Sequence, residues 1–171
     1  MASLNALQVM SSDIENAYLT APAAEKIWTI LGPEFGEDAG KRVIIVRSLY
    51  GLKSAGAAFR NHLADCMRHL GWTSCLADPD VWIKAEVRPS DGFKYYYAYA
   101  LLYVHDALII HHDAEAAFRE MDHYFKMKPG SIKYPDFYFG AKLRQMTLPN
   151  GVRAWGMSAS KYIQEIGRAH V

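Results

Sequence analysis

Two aspartates stand where apolar stretches of the chain run out. Asp13 follows the β-favourable stretch 7–12, and Asp106 lies just beyond the apolar stretch 95–102. A carboxylate at the end of a buried strand is costly to desolvate unless something positive sits beside it. Nucleotidyl transfer by two metal ions uses that arrangement. Carboxylates from separate strands hold Mg²⁺ ions about 4 Å apart, which activates the attacking 3′ oxygen and stabilises the leaving pyrophosphate. On spacing alone the simpler reading is favoured, with Asp13 a loop cap and Asp106 a turn residue. A zinc site from His105, His111, His112 and Asp113 is disfavoured, because it has neither cysteine nor an HExxH-like spacing and would use both faces of one strand.

The elements that would position these residues follow from periodicity and turn chemistry. Residues 7–12 read as a strand running into Asp13, and 27–31 and 43–46 as two strands around a Gly/Pro/acidic loop. Ala58, Phe59, Leu63, Cys66, Met67 and Leu70 recur at helical spacing across 54–70, and Gly71 follows as a stop. Residues 81–83 and 95–102 read as strands, the second rich enough in apolar and aromatic residues to expect cover on both faces in mid-sheet. After His105 and Asp106 the stretch 107–110 returns as a strand, so the pair forms a hairpin with polar residues at its tip.

Asp113 is placed to cap a helix reaching about Phe125, with Ala116, Ala117, Met121 and Phe125 toward the inside. Residues 137–143 and 152–157 read as a last hairpin around Pro149-Asn150-Gly151, and Ser158 or Ser160 opens a terminal helix. Mixed helices and hairpins, rather than strict alternation, imply an α+β domain with helices on one face of an antiparallel sheet.

The 171 residues are half apolar, enough for one globular domain with a sizeable core. Nineteen basic against eighteen acidic residues leave a formal charge of +1, so nucleic-acid binding would rest on local patches rather than on a global field. Cys66 and Cys75 cannot build a framework of bridges and read as free thiols in a reducing compartment. No apolar run reaches the length of a membrane span and no charged-then-apolar leader opens the chain. The expectation is an intracellular protein with no membrane partner.

Four short segments carry a resemblance. Ser12-Asp13-Ile14-Glu15-Asn16-Ala17-Tyr18-Leu19 resembles the first catalytic motif of copia-type reverse transcriptases, an aspartate followed five positions later by an aromatic residue. Ser48-Leu49-Tyr50-Gly51-Leu52-Lys53-Ser54 is similar to that family's Leu-Tyr-Gly-Leu-Lys signature. Tyr103-Val104-His105-Asp106 resembles its Tyr-Val-Asp-Asp turn with one departure, and Tyr138-Phe139-Gly140 the element that helps hold the primer. The segments occur in the family's order and span about residues 7–164.

The resemblance implies a right-hand polymerase palm with the fingers largely absent, as a partial reverse transcriptase domain over 1–165 that includes the start of the connection. It implies RNA-directed DNA polymerisation with two Mg²⁺ ions, or Mn²⁺, held by Asp13 and Asp106. Tyr18 becomes the gate against a ribose 2′-hydroxyl, Gly51 a place where backbone approaches the template-primer pair, Lys53 a phosphate neutraliser, and Tyr103 a substrate-binding residue. The partners implied are an RNA or DNA template with primer, deoxynucleotide triphosphates, and the remaining fingers and ribonuclease H parts of a retrotransposon polyprotein. The location implied is a cytoplasmic particle or the nucleus.

Gly56 stands where the family commonly has proline, and Phe59 where tryptophan is frequent. His105 is the serious departure, a catalytic position by the family pattern that carries imidazole in place of the first aspartate. One neutral nitrogen replaces two anionic oxygens, and Mg²⁺ prefers oxygen. Three explanations stay open: an inactivating change in a decayed element, a tolerated variant favouring Mn²⁺, and an error at one base. Impaired polymerisation is expected, the alternative being an inactive nucleic-acid-binding or remnant palm. The final segment 166–171, Ile-Gly-Arg-Ala-His-Val, reads either as a non-native tail translated from a sequencing adapter or as a helix end capped by Gly167.

Overall fold

The computed structural model describes residues 2, 5–92, 94–160 and 163–164. In chain order the elements are β1 (Gln8–Asp13), α1 (Ala17–Thr20), β2 (Pro22–Ile30), β3 (Arg42–Arg47), α2 (Ala55–His69), β4 (Thr73–Ser74), β5 (Val81–Arg88), β6 (Lys94–Tyr103), β7 (Asp106–His111), α3 (Ala114–Asp122), β8 (Phe137–Tyr138), β9 (Ala141–Thr147) and β10 (Arg153–Ser158). Every strand pairing among them is antiparallel. The class is therefore α+β, as the mixture of hairpins and helices implied. Among the described residues no helix is long and apolar enough to cross a membrane.

The chain divides into two compact units, residues 1–15 with 67–171, and residues 16–66. The first contains a five-stranded sheet in the order β1-β7-β6-β5-β4 and a three-stranded sheet in the order β10-β9-β8. Alternation along the strands gives the larger sheet two faces. On one, Trp82, Ala100, Ile109 and Met10 lie opposite one another across four strands. Ala98, Ala100 and Ala107 are completely buried there. Their small side chains leave depth for α3, which packs on β7 and β1 and buries Ala114, Ala117, Phe118 and Met121. On the other face Val9 and Leu108 form a core with Leu7 and Ala2, against which Leu101, Ile110, Tyr138, Leu143 and Trp155 pack.

Several expectations are corrected. The stretch 95–102 is central in its sheet, yet it is not covered on both faces: Tyr95 and Tyr97 are 86% and 60% exposed. Helix α3 stops at Asp122 rather than about Phe125, and Phe118 joins Ala117 and Met121 on its buried face, with Ala116 half-buried beside them. The helix ends because the chain is drawn along the free edge of β1. Asp122 accepts from the Met127 amide at 2.7 Å, and the Glu15 and Lys128 amides donate to the Lys126 and Asp13 carbonyls. The stretch 137–143 is not one strand. Phe139 (φ 53°) and Gly140 (φ 72°) turn β8 back onto β9. Most of the expected terminal helix, and the whole of segment 166–171, lie outside the described residues.

The second unit holds the β2–β3 ribbon, α1 and most of α2. Register pairs Trp28 with Ile44 and Thr29 with Val43, around a 3-10 turn at Pro33–Asp38 that supplies the expected Gly/Pro/acidic loop. Helix α2 buries Ala55, Phe59, Leu63, Cys66 and Met67 along one stripe. Cys66 and Cys75 are free thiols, and burial pushes the Cys66 thiol up to about 11.

One polar cluster is built into the first unit on the helix-covered side. His111 is buried, its Nδ1 accepts from the Asp113 amide at 3.0 Å, its ring stacks on His112 at 4.4 Å, and its Nε2 lies 3.7 Å from Glu86. Burial, followed by the neighbouring His112 charge, holds His111 below the ordinary imidazole value despite Glu86 and the Asp113 carbonyl. The unfolded chain therefore takes up a proton that the folded one refuses once the pH falls below about 6.5. Urea midpoints measured between pH 8 and 5 should fall below that value in the wild type, and His111→Gln should flatten this part of the profile.

Candidate metal centre

Register places the candidate ligands. Asp13, the last residue of β1, is paired directly with Asp106, the first residue of β7, and Asp106 is paired in turn with Tyr103, the last residue of β6. Directly opposed residues share a face, so Asp13, Asp106 and Tyr103 form a row across one end of the five-stranded sheet. Asp106 is thus a strand residue rather than a turn residue. The loop between β6 and β7 is the pair Val104-His105, and Val104 adopts φ 51°. A β-branched residue at positive φ is a backbone outlier that costs on the order of 1–3 kcal/mol and persists only where its surroundings impose it. The strain sits beside His105.

His105 joins the aspartates. One ligand atom from each of Asp13, His105 and Asp106 can be chosen so that all lie within 4.8 Å of one another. The His105 carbonyl accepts from the Ile14 amide at 2.9 Å, which ties the loop to the end of β1, and His105 Nε2 lies 3.9 Å from Asp13 Oδ1. That oxygen is buried and has no hydrogen-bond partner among the described residues. A carboxylate with an orphaned oxygen, paired across the sheet with a second carboxylate, is an unfavourable arrangement that a cation relieves.

The donor set fits one divalent cation. Two carboxylates and one imidazole suit Mn²⁺ or Zn²⁺ better than Mg²⁺, which favours oxygen throughout. The two-ion arrangement implied by the resemblance needs a further carboxylate, and His105 occupies that position.

Lys128 is the residue that sequence reasoning missed. Its Nζ lies 3.8 Å from Asp13 Oδ2, and its amide donates to the Asp13 carbonyl at 2.8 Å. Lys126 similarly pairs with Glu15 at 2.9 Å. Ser131 completes this edge, with its hydroxyl 2.8 Å from that of Ser12 and accepting from the Asp13 amide at 3.2 Å. Nothing in the pattern of residues 126–133 marks them as an edge partner of β1, because two isolated bridges rather than a strand make the contact.

Tyr103 and the turn after β8 meet at the same end of the sheet. The Tyr103 and Phe139 rings are 4.3 Å apart and nearly perpendicular. Tyr138 donates to the Leu101 carbonyl at 3.1 Å. Burial first, then the charges of Asp106, Asp80 and Asp78, push its phenol up to about 12, so it stays a donor at any ordinary pH. Tyr18, Gly51 and Lys53 belong to the second unit. There Tyr18 is half-buried, 4.7 Å from the Tyr50 ring and 6.0 Å from that of Phe59. Gly51 has φ 95°, which its lack of a side chain permits, and Lys53 is exposed.

No protein-family model matches the chain, and neither does any curated protein. The resemblance to copia-type reverse transcriptases therefore stands on the residues that carry it.

The geometry predicts the metal-binding behaviour of four variants, readable by calorimetric titration with Mn²⁺ and Mg²⁺. Asp13→Asn and Asp106→Asn should each weaken Mn²⁺ at least tenfold. Lys128→Met should strengthen it several-fold by removing a competing cation, and His105→Asp should shift preference toward Mg²⁺.

Proposed function

We propose that the chain is the palm part of a copia-type reverse transcriptase whose metal centre is weakened by His105. The observation that carries this reading is the register of β1, β7 and β6. It brings Asp13 and Asp106, distant in sequence, directly opposite each other at the mouth of an antiparallel hairpin with Tyr103 in the same row. Such a pair is poorly explained as two independent surface residues, since like charges opposed in a sheet are destabilising.

In this reading Asp13 and Asp106 hold and orient a divalent cation, Mg²⁺ or Mn²⁺. The cation supplies a lowered pKa at the primer 3′ hydroxyl and charge stabilisation at the leaving pyrophosphate. Tyr103, braced by Phe139, presents a half-exposed ring to the end of the primer strand. Lys128 balances Asp13 while the site holds no cation. Tyr18, Gly51 and Lys53 serve the nucleotide and template-primer as the resemblance implies, with an RNA or DNA template and deoxynucleotides as substrates in a retrotransposon polyprotein.

One observation favours a second reading, a palm that binds nucleic acid without extending it. Asp13 already has the His105 imidazole beside one oxygen and the Lys128 ammonium beside the other, so protein groups stand where metal would act.

Primer extension on an RNA template separates the two. The wild-type chain should extend weakly with Mn²⁺ and less with Mg²⁺. His105→Asp should raise Mg²⁺-supported extension at least tenfold, and Asp13→Asn should abolish it in both backgrounds. Template-primer binding without extension in the wild type and in His105→Asp alike would favour the second reading. Neither binding nor extension would overturn both.

A further inference from the structure

Between the five-stranded sheet and the β9–β10 hairpin lies a cavity of about 510 Å³, within the size range of small-molecule sites. It is separate from the carboxylate row and does not depend on the reading of the metal centre. Its wall on the sheet side is Val9, Leu101, Leu108 and Ile110, and its wall on the hairpin side includes Leu143 and Trp155. These apolar side chains meet incompletely: Val9 and Leu108 are buried, whereas Leu101, Ile110, Leu143 and Trp155 are only partly so. Close packing would have filled the space, because a void forfeits dispersion contacts on every side.

The polar groups at the cavity are few and specific. Tyr138 is committed to the Leu101 carbonyl. Among the described residues Arg153 is the single charged member of the lining, and the lining contains no carboxylate. Arg153 is exposed, so its guanidinium stands at the rim rather than in the apolar interior. It also lines an adjoining smaller pocket of about 150 Å³ with Gln145 and Tyr134, so the cation lies between two openings. The described ion pairs do not include it.

We propose that this cavity binds an amphipathic anion, a small hydrocarbon body bearing one carboxylate. The body replaces water along Leu101, Leu108, Leu143 and Trp155. The carboxylate is received by Arg153, whose planar fork of donors suits two parallel hydrogen bonds to it. A neutral or cationic amphiphile of equal length gains the apolar contacts and lacks the charge match, which decides the ligand class. Leu101 and Leu108 are paired with each other one alternation inward from Tyr103 and Asp106. The ligand therefore lies one layer beneath the carboxylate row, on the strands that carry it.

The test uses decanoate and decylammonium as probes, each kept below its micelle concentration, titrated into the full chain with methyl-labelled leucine and followed by NMR. Decanoate should shift the Leu101, Leu108 and Leu143 methyl signals with one-to-one saturation and bind at least tenfold more tightly than decylammonium. Arg153→Glu should reverse that preference. Arg153→Gln, the milder change, should weaken decanoate about tenfold while leaving the unliganded spectrum unchanged. Equal binding of the two probes, insensitivity to both Arg153 variants, or methyl signals that stay still at millimolar decanoate would each overturn the proposal.

Discussion

The pairing of Asp13 with Asp106 is an electrostatic conflict that the sheet is built to tolerate. Two carboxylates directly opposite on one face repel each other. The strands could relieve this only by slipping, and a slip of one residue would turn every apolar side chain of β1 and β7 to the wrong face. Val9 opposite Ile110 and Met10 opposite Ile109 hold the register from the buried end. Hydrophobic burial there, roughly 1.5–3 kcal/mol for each large side chain, outweighs a repulsion that partial exposure to solvent keeps below about 1 kcal/mol.

The neighbourhood of the pair follows from the same conflict. Positive or protonatable groups gather at Asp13 from two directions, His105 from the strained loop and Lys128 from the segment lying along the edge of β1. Both are more than half exposed in their side chains, so neither contact is worth more than about 1 kcal/mol. Asp13 Oδ1 remains without a hydrogen bond. Asp13 is thus held only loosely by its protein neighbours.

The two faces of the sheet solve the packing problem differently. Where α3 lies, alanines on β6 and β7 leave room for large helical side chains, and Phe118 and Met121 are buried. Where the β9–β10 hairpin lies, branched side chains face each other across a gap that is not filled. The same strands thus carry a tightly packed face and a face with room for a ligand.

Much of this was legible in the order of residues. A β-favourable stretch marked β1 and an apolar run β7, helical spacing marked α2, and Asp113 marked the start of α3 because its short carboxylate accepts from an amide three residues on. Those signals are local, and local physics decides them. Asp13, His105 and Asp106 could be named from their types and setting, but their convergence depends on the register of β1 against β7, which joins segments far apart in the chain. The end of α3, the placement of Lys128 and the turn at Phe139-Gly140 were illegible for a related reason. Each is set by an edge or a face supplied by another part of the chain, and a backbone group that needs a partner takes the one that tertiary structure brings within reach. Sequence by itself determined most of the longer strands and helices and the identity of the candidate ligands, while α1, β4 and the break between β8 and β9 escaped it. Only the tertiary structure decided that two carboxylates would be held opposite each other, with a histidine beside one oxygen of Asp13 and a lysine beside the other, because pairing across a sheet is a long-range property that no local pattern encodes.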